Sequence, residues 1–200
     1  LRLCEPHRER IDTVTIVLTP QKAEIVRFMD KWREAFNIRF CYFDDSNFEW
    51  AGSIRSAETL FAERNLFLLP DSYIRERESN PVVVSMDNLL EEHDVAFAYM
   101  RESDAERLST LGALKIEDDG SVAAFCDKPD NTQLRYNAFW GAFGFRRDAG
   151  RPLLEMMTRS IQRQSADIEA LGLDVKSFEL EGYDDLGNWP SLHSFIRNFT

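Results

Sequence analysis

The strongest constraint on the fold is a short apolar run, residues 65–71, that ends in an aspartate. Four consecutive apolar residues precede Pro70, which is the pattern of a parallel strand buried on both faces. Asp71 follows at the carboxyl end, the edge of open α/β sheets where ligands bind. A carboxylate there can hold a metal ion, although Asp and Pro also end strands as ordinary turn residues. A second candidate carboxylate, Asp185, lies far downstream.

Length and charge narrow the function classes. The 200 residues, 44% hydrophobic and 12% aromatic, suffice for one sizeable core, so we expect a single domain over residues 1–200. With 24 Lys and Arg against 35 Asp and Glu, the net charge of −11 has the wrong sign for gripping a nucleic-acid backbone. A chain of this charge that handles phosphorylated small molecules needs local cations or a divalent metal such as Mg²⁺.

The sequence indicates neither a secreted nor a membrane protein. The three cysteines are far apart and outside any CxxC pattern, so no disulfide framework or zinc site is predicted and a cytoplasmic location is the default. No apolar run approaches transmembrane length, and the first residues lack the apolar core of a signal peptide. The three histidines are isolated in sequence, and we assign them no role.

Strands and helices alternate along the chain. The order is βαβαβαβ, then a hairpin, then βαβα, which predicts a three-layer α/β/α fold around a mixed, mainly parallel sheet. The hairpin is predicted where Asp119-Gly120 offers a turn with positive φ. The predicted strands are residues 13–18, 39–43, 65–69, 95–100, 111–116, 122–126, 139–145 and 175–180. The predicted helices are residues 20–36, a helix after Ser53 that reaches Arg64, a helix opened by Pro81, and residues 152–164, 166–171 and 191–199.

Small and charged residues near the predicted strand ends are candidate ligand contacts. Gly52 permits close backbone approach, and Ser53 can cap a helix whose free N–H groups would face a nucleotide; an ordinary cap is the alternative. Gly141 admits either a ligand or close packing. Lys128 places a cation beside Asp127, just outside the sheet.

Four segments, in this order, resemble the sugar-phosphate nucleotidylyltransferases, which have a glycosyltransferase-A-like, Rossmann-like fold. Gly52-Ser53 is similar to the family's glycine-threonine element beside the nucleotide, and the run ending in Asp71 is similar to the strand with a metal-binding aspartate. The hairpin ending in Asp127-Lys128-Pro129 resembles the one ending in Glu-Lys-Pro. Residues 183–189 resemble the Trp-x-Asp-Ile-Gly pattern, whose metal-binding aspartate maps onto Asp185.

The resemblance implies a Mg²⁺-dependent enzyme that condenses a nucleoside triphosphate with a sugar 1-phosphate to an NDP-sugar and pyrophosphate. Asp71 and Asp185 would hold the metal, so no protein nucleophile is required. Lys128 would offer its charge to the sugar phosphate. The implied substrate-binding residues are Gly52, Ser53, Asp127, Asn137 and Gly141.

The sequence departs from the family in two substitutions and one absence. Asp127 replaces a glutamate and Asn188 stands where Thr or Ser is usual, and both changes are compatible with the chemistry. The family's Gly-Gly-x-Gly-Thr-Arg loop, which cradles the triphosphate, does not occur in the sequence. Since the chain begins without Met at what resembles the family's second strand, we expect a missing strand and phosphate-binding loop of roughly 20–30 residues.

Other functions stay open at this point. A chain that naturally lacks the loop would be a catalytically inactive relative with a regulatory or ligand-binding role. A glycosyltransferase is less consistent with Asp71-Ser72-Tyr73, because that group uses an Asp-x-Asp spacing. Gly187-Asn188-Trp189 is similar to a Gly-Ser-Trp segment of mannose-1-phosphate guanylyltransferases, which favours a guanine nucleotide and a hexose or heptose 1-phosphate; choline phosphate also stays open. The aromatic content leaves room for a homo-oligomer interface.

Overall fold

The computed structural model describes residues 1–43, 50–130, 135–160 and 166–198. These residues contain eleven strands and six α-helices, joined by turns and short 3-10 helices. The strands are β1 (Val14–Leu18), β2 (Ile38–Tyr42), β3 (Arg64–Leu68), β4 (Ser72–Arg75), β5 (Val95–Arg101), β6 (Gly112–Ile116), β7 (Val122–Asp127), β8 (Ala138–Arg146), β9 (Ala166–Asp167), β10 (Val175–Glu179) and β11 (Gly182–Asp185). The α-helices are α1 (Glu24–Met29), α2 (Trp50–Ser56), α3 (Val82–Glu92), α4 (Ala105–Leu108), α5 (Arg147–Ser160) and α6 (Trp189–Asn198). Within those ranges, no helix is both long and apolar enough to cross a membrane.

Seven strands form the central sheet. Their order is β10-β5-β8-β6-β7-β9, and β3 pairs with β8 next to β6. Five of them, β3, β5, β6, β9 and β10, run in one direction, and β7 and β8 run against them. The predicted α/β fold with a mixed sheet is therefore confirmed, and most of the strands run in one direction, although β10 and β5 are its one pair of parallel neighbours among the described residues.

Side-chain alternation along β5 creates the two helix layers. Val95 and Phe97 face the core cluster that contains α2 and α5, whereas Ala96 and Ala98 face α3. The small alanines allow α3 to approach the sheet closely, and aromatic rings fill the thicker layer on the opposite face. Helices consequently cover both faces of the sheet, as the three-layer prediction requires.

Three predicted features are wrong in detail. Residues 166–171 were predicted to be helical, but Ala166 and Asp167 pair with β7 as the strand β9. α5 begins at Arg147, so Pro152 lies inside the helix and not at its start. Phe28 falls at helical spacing with Trp32 and Phe36, which predicts a core position, but it is exposed, with the Lys31 ammonium 4.1 Å from its ring centre. Helical periodicity placed Phe28 on the same face as buried residues without showing how far that face is covered.

The strands β1 and β3 each have one edge that no described residue pairs with. β1 pairs only with β2, in a separate parallel sheet, and β3 pairs only with β8. The apolar residues of β3 are half-buried, which corrects the prediction of a strand buried on both faces. Leu68 of β3 and Val14 and Ile16 of β1 pack against the same buried cluster.

Candidate functional site

A two-stranded ladder brings the two predicted metal-binding aspartates together. β4 pairs antiparallel with β11, so Asp185 stands opposite Ser72, the residue that follows Asp71. The Leu186 N–H donates to the Asp71 carbonyl at 2.7 Å and continues the ladder. From the sequence alone, the arginine-rich residues 73–77 after Asp71 predict a linker, and Asp184-Asp185 predicts a turn. Both predictions are wrong because each segment becomes a strand only through pairing with the other.

Both carboxylates face the space beside Gly187. A Cβ atom at this position would lie 2.7 Å from Asp71 Oδ2 and 3.1 Å from Asp185 Oδ1. The Gly187 N–H donates to Asp185 Oδ1 at 2.8 Å and orients that side chain. The neighbouring Asp184 instead forms an ion pair with Arg75 at 2.6 Å. Glycine is therefore the residue that leaves room between the two carboxylates.

The aspartate pair has the donor set expected for Mg²⁺. Both side chains are exposed, so a substrate can reach an ion bound between them. In the part of the chain that the structure describes, no group of three His, Cys, Asp or Glu residues forms a metal site. Mg²⁺ is commonly held by one or two carboxylates, with waters and substrate phosphates as its other ligands. Asp71 and Asp185 fit that arrangement and would bind the ion together with a phosphorylated substrate.

Tyr183 links the two strands that carry the aspartates. Its hydroxyl lies 2.8 Å from Ser72 Oγ. Its ring fills the space beside Gly141 and meets the Phe139 ring edge-on, with 5.4 Å between centroids. Burial, together with the charges of Asp185 and Asp71, raises the pKa of Tyr183 above its usual value. The hydroxyl thus stays protonated at neutral pH and can hold the Ser72 contact.

We expect Tyr183→Phe to loosen the aspartate pair while the chain stays folded. The variant loses the hydrogen bond to Ser72, which contributes about 1 kcal/mol, and keeps the ring against Gly141. Calorimetric titration should show Mg²⁺ affinity lower by about 3- to 10-fold. Ser72→Ala should give the same change, and the double variant should be no worse than either single variant. Changes that simply add would mean that this hydrogen bond does not position the pair.

A cleft of about 430 Å³ adjoins the aspartate pair. It lies between α6 and the segment that follows α4, and Tyr183 and Asp185 form part of its wall. Hydroxyl and amide groups dominate the lining, and the size is typical of a small-molecule site. The polar residues of the lining that the sequence analysis did not single out are Arg107, Thr110, Ser191, Ser194 and Asn198. A signal for the last three was present, since spacings of three and four residues place them on one face of α6.

Lys128 and Asp127 lie next to this cleft, at the end of the β6–β7 hairpin. Asp127 is buried at the end of β7, directly opposite Gly112 in the ladder with β6. Lys128 is exposed, and its N–H donates to the carbonyl of Leu111, which lines the cleft. Its φ of 51° is in the left-handed region, which is strained for any residue with a side chain. Such strain is concentrated at functional sites, so the conformation favours a role for Lys128 beyond ending a strand.

The predicted nucleotide element has a different local structure from the one expected. Ser53 lies inside α2, where its hydroxyl donates to the Trp50 carbonyl at 2.6 Å, so it does not cap the start of a helix. Gly52 lies within the same helix. The helix begins at Trp50, earlier than predicted, because the polar, turn-rich residues 44–50 predict a loop from the sequence alone. The rest of that loop, residues 44–49, lies outside the described residues, and nucleotide binding at Gly52 and Ser53 stays a prediction.

Two further predicted contacts have structural partners. The Asn137 amide donates to the Ile116 carbonyl and accepts from the Ile116 N–H, both at 2.9 Å, and so joins β6 to the start of β8. The space beside Gly141 is filled by Tyr183 and Leu180. Packing therefore accounts for this glycine, and contact of either residue with a substrate stays a prediction.

The chain belongs to the nucleotidyl transferase family, whose profile matches residues 3–200. This match confirms the resemblance found in the four sequence segments. No curated protein matches the chain.

Several solved structures share the fold of this chain at low sequence identity. An apo UDP-glucose pyrophosphorylase is 14% identical, with a TM-score of 0.76 over 100% of this chain and 86% of that one. HddC from Yersinia pseudotuberculosis is 15% identical, with a TM-score of 0.62 over 100% of this chain and 84% of that one. A putative glucose-1-phosphate thymidylyltransferase from Bacillus anthracis, in complex with a sucrose, is 13% identical, with a TM-score of 0.67 over 90% of this chain and 73% of that one. At these identities the likeness is one of fold.

Proposed function

We propose that this protein transfers a nucleotidyl group from a nucleoside triphosphate to a sugar 1-phosphate. The observation that carries the proposal is the convergence of Asp71 and Asp185 beside Gly187, at an exposed edge next to a polar cleft. Membership of the nucleotidyl transferase family supports the reaction class, and the names of the structural neighbours support a sugar substrate.

The proposed reaction forms one bond and breaks one. A phosphate oxygen of the sugar 1-phosphate attacks the α-phosphorus of the triphosphate, the bond to the oxygen bridging to the β-phosphate breaks, and pyrophosphate leaves. Two anions must meet on a chain whose net charge is −11. Mg²⁺ bound by Asp71 and Asp185 would neutralise charge and orient the reacting phosphates. The protein's task is then to position two substrates, and this requires no nucleophilic side chain.

The polar cleft is the proposed site of the sugar 1-phosphate. Its hydroxyl and amide side chains can exchange hydrogen bonds with a sugar, and Asp185 in its wall places the sugar phosphate next to the aspartate pair. The backbone N–H of Lys128 is hydrogen-bonded to Leu111 at the rim of the cleft, and the Lys128 ammonium group would contact that phosphate. Asp127 would accept a hydrogen bond from a sugar hydroxyl.

Two substitutions of Lys128 separate its charge from its backbone strain. Lys128→Ala and Lys128→Gly both remove the ammonium group, and each should raise KM for the sugar 1-phosphate by about 10- to 100-fold. Only glycine relieves the positive φ, so only Lys128→Gly should raise the melting temperature. Steady-state kinetics and thermal unfolding measure the two effects. Unchanged KM in both variants would remove Lys128 from the site.

A further strand would complete the proposed triphosphate site. β1 and β3 pack against one cluster, and each has an edge that is unpaired among the described residues, so a strand beside β3 would cover its half-buried residues. A loop following such a strand, if it runs parallel to β3, would reach the same edge as Asp71. The family's glycine-rich loop has that role, and a natural protein that carries such a strand and loop would exceed 23.2 kDa by roughly 2–3 kDa. Its intact mass tests this expectation.

A relative that binds ligands without turnover is the second candidate, and it would apply to a protein that lacks the glycine-rich loop. The discriminating experiment measures pyrophosphate release with Mg²⁺ for each pair of GTP, UTP, dTTP, CTP or ATP with mannose 1-phosphate or glucose 1-phosphate. Release that requires both substrates supports the transferase. A natural protein of 23.2 kDa that binds a sugar 1-phosphate but releases no pyrophosphate with any pair would support the second candidate.

A further inference from the structure

Arg107 is the one positively charged residue among the described residues that line the polar cleft. The lining also contains Asp184 and Asp185, so the cleft is acidic where the sugar phosphate is proposed to bind. Asp184 is paired with Arg75 at 2.6 Å, whereas Asp185 is paired with no cation in the described part of the chain. A phosphate group in such a cleft needs a positive charge beside it, in addition to any metal ion.

An ion pair with Glu102 fixes one end of the Arg107 guanidinium. Arg107 Nη1 lies 3.1 Å from Glu102 Oε2. The other oxygen of this carboxylate accepts from the backbone N–H groups of Ser103 and Asp104, both at 2.9 Å, so Glu102 is itself held in place. A guanidinium has five N–H donors in one plane, and among the described residues no hydrogen bond or ion pair engages Nε or Nη2 of Arg107. The ion pair therefore orients Arg107 and leaves most of its donors for a ligand.

A buried aromatic ring supports the guanidinium on the same side of the sheet as the cleft. Arg107 Cζ lies over the Phe139 ring, 5.4 Å from its centre, and Phe139 is 2% exposed. The same ring meets Tyr183 edge-on, and Tyr183 forms part of the cleft wall next to Asp185. The Arg107 side chain is 54% exposed, so the part that does not rest on Phe139 or Glu102 is open to a ligand in the cleft.

A phosphate group is the ligand that best matches these donors. A phosphate monoester carries close to two negative charges at neutral pH. The planar guanidinium can donate two parallel N–H groups to two phosphate oxygens, and hydrogen bonds between charged partners are about twice as strong as neutral ones. A sugar hydroxyl carries no charge and offers one oxygen, so it would gain less from Arg107.

We infer that Arg107 binds the phosphate of the sugar 1-phosphate as a second cation, in addition to Lys128. The inference rests on the proposed function, from which it takes its ligand. Arg107 and Leu111, the residue to which the Lys128 N–H is bonded, lie four residues apart in the segment that faces α6 across the cleft. Glu102 and Phe139 hold the guanidinium before a substrate arrives, so binding loses little side-chain entropy at this position.

The test compares the wild type with Arg107→Gln and Arg107→Lys. Mannose 1-phosphate and glucose 1-phosphate are titrated calorimetrically in the presence of Mg²⁺ and without nucleotide. Arg107→Gln removes the charge and should weaken binding of the tighter sugar 1-phosphate by about 10- to 100-fold. Arg107→Lys keeps the charge and loses the paired donors, so its loss of affinity should be smaller. Since Arg107 is exposed, thermal unfolding should show that both variants melt close to the wild type.

Inorganic phosphate distinguishes a contact with the phosphate from a contact with the sugar. It should compete with the sugar 1-phosphate for the wild type, and in Arg107→Gln its inhibition constant should rise by a factor similar to that of the sugar 1-phosphate Kd. Arg151→Gln is the matched control. It removes the same charge from an exposed arginine of α5 that is paired with Glu155 and does not line the cleft, so it should leave both affinities unchanged.

The outcomes separate this inference from the proposed function. Equal affinity of wild type and Arg107→Gln for the sugar 1-phosphate, or an equal loss in Arg151→Gln, refutes the role of Arg107 alone. A loss for the sugar 1-phosphate without a loss for inorganic phosphate, or equal losses in Arg107→Gln and Arg107→Lys, refutes the contact with the phosphate. A wild-type protein that binds no sugar 1-phosphate would instead overturn the proposed function, and the inference with it.

Discussion

Replacing either aspartate of the pair, by Asp71→Asn or Asp185→Asn, should lower pyrophosphate release by about 10²- to 10⁴-fold. Asparagine keeps the size of the side chain and removes the charge that would hold Mg²⁺. Both residues are exposed, and the Gly187 N–H can still donate to an amide oxygen at position 185, so the fold should survive. The double variant should be little worse than either single variant, because residues that hold one ion act as a unit.

The kinetic measurements should be accompanied by a direct measurement of Mg²⁺ binding. Calorimetric titration with Mg²⁺ should show that both variants lose affinity, and thermal unfolding should show melting temperatures close to the wild type. Asp119→Asn makes the same change of charge in the exposed hairpin turn and should leave both turnover and metal binding as they are. Near-wild-type turnover in Asp71→Asn or Asp185→Asn would remove that residue from the metal site.

Local patterns located the two aspartates, but they did not explain how the aspartates meet. Asp71 follows an apolar run and Asp185 belongs to a segment that resembles a family motif, so each was found by itself. Their convergence depends on the pairing of β4 with β11, and neither strand has a hydrophobic pattern of its own. Tyr183 was missed for the same reason. Once β11 is a strand, alternation places Tyr183 and Asp185 on one face, but the sequence indicated a turn there.

The fold was predictable where burial depends on neighbouring residues in the sequence. The alternation in β5 and the Asp119-Gly120 turn both act locally, and both elements were predicted correctly. The burial of β3 depends on strands from elsewhere in the chain. Its apolar run therefore predicted deeper burial than the structure shows. The surroundings of the Trp140 indole nitrogen were the least predictable from local sequence, because they are set by Gly112 on another strand.

Gly187→Ala should abolish binding of Mg²⁺ by the aspartate pair while both aspartates remain in the chain. The added methyl group would lie 2.7 Å from Asp71 Oδ2 and 3.1 Å from Asp185 Oδ1, closer than a carbon atom normally approaches. The carboxylates would have to turn apart, and the space between them would be filled. Gly187 is not one of the described glycines with positive φ, which are Gly120 and Gly172, so its backbone accepts alanine. Turnover should fall by about 10²-fold or more, as for loss of either carboxylate.

Gly172→Ala is the matched control. It should lower the stability of the chain and leave Mg²⁺ binding and turnover unchanged. Gly172 has a φ of 66° with open space around it, so alanine there costs about 1 kcal/mol of stability through the backbone and touches no functional group. Gly187→Ala should lose Mg²⁺ binding and turnover, and its loss of stability should be smaller than that of Gly172→Ala. Thermal unfolding and Mg²⁺ titration of both variants separate strain in the chain from obstruction of the site. Retained Mg²⁺ affinity in Gly187→Ala would mean that the ion is not held in the space between the two carboxylates.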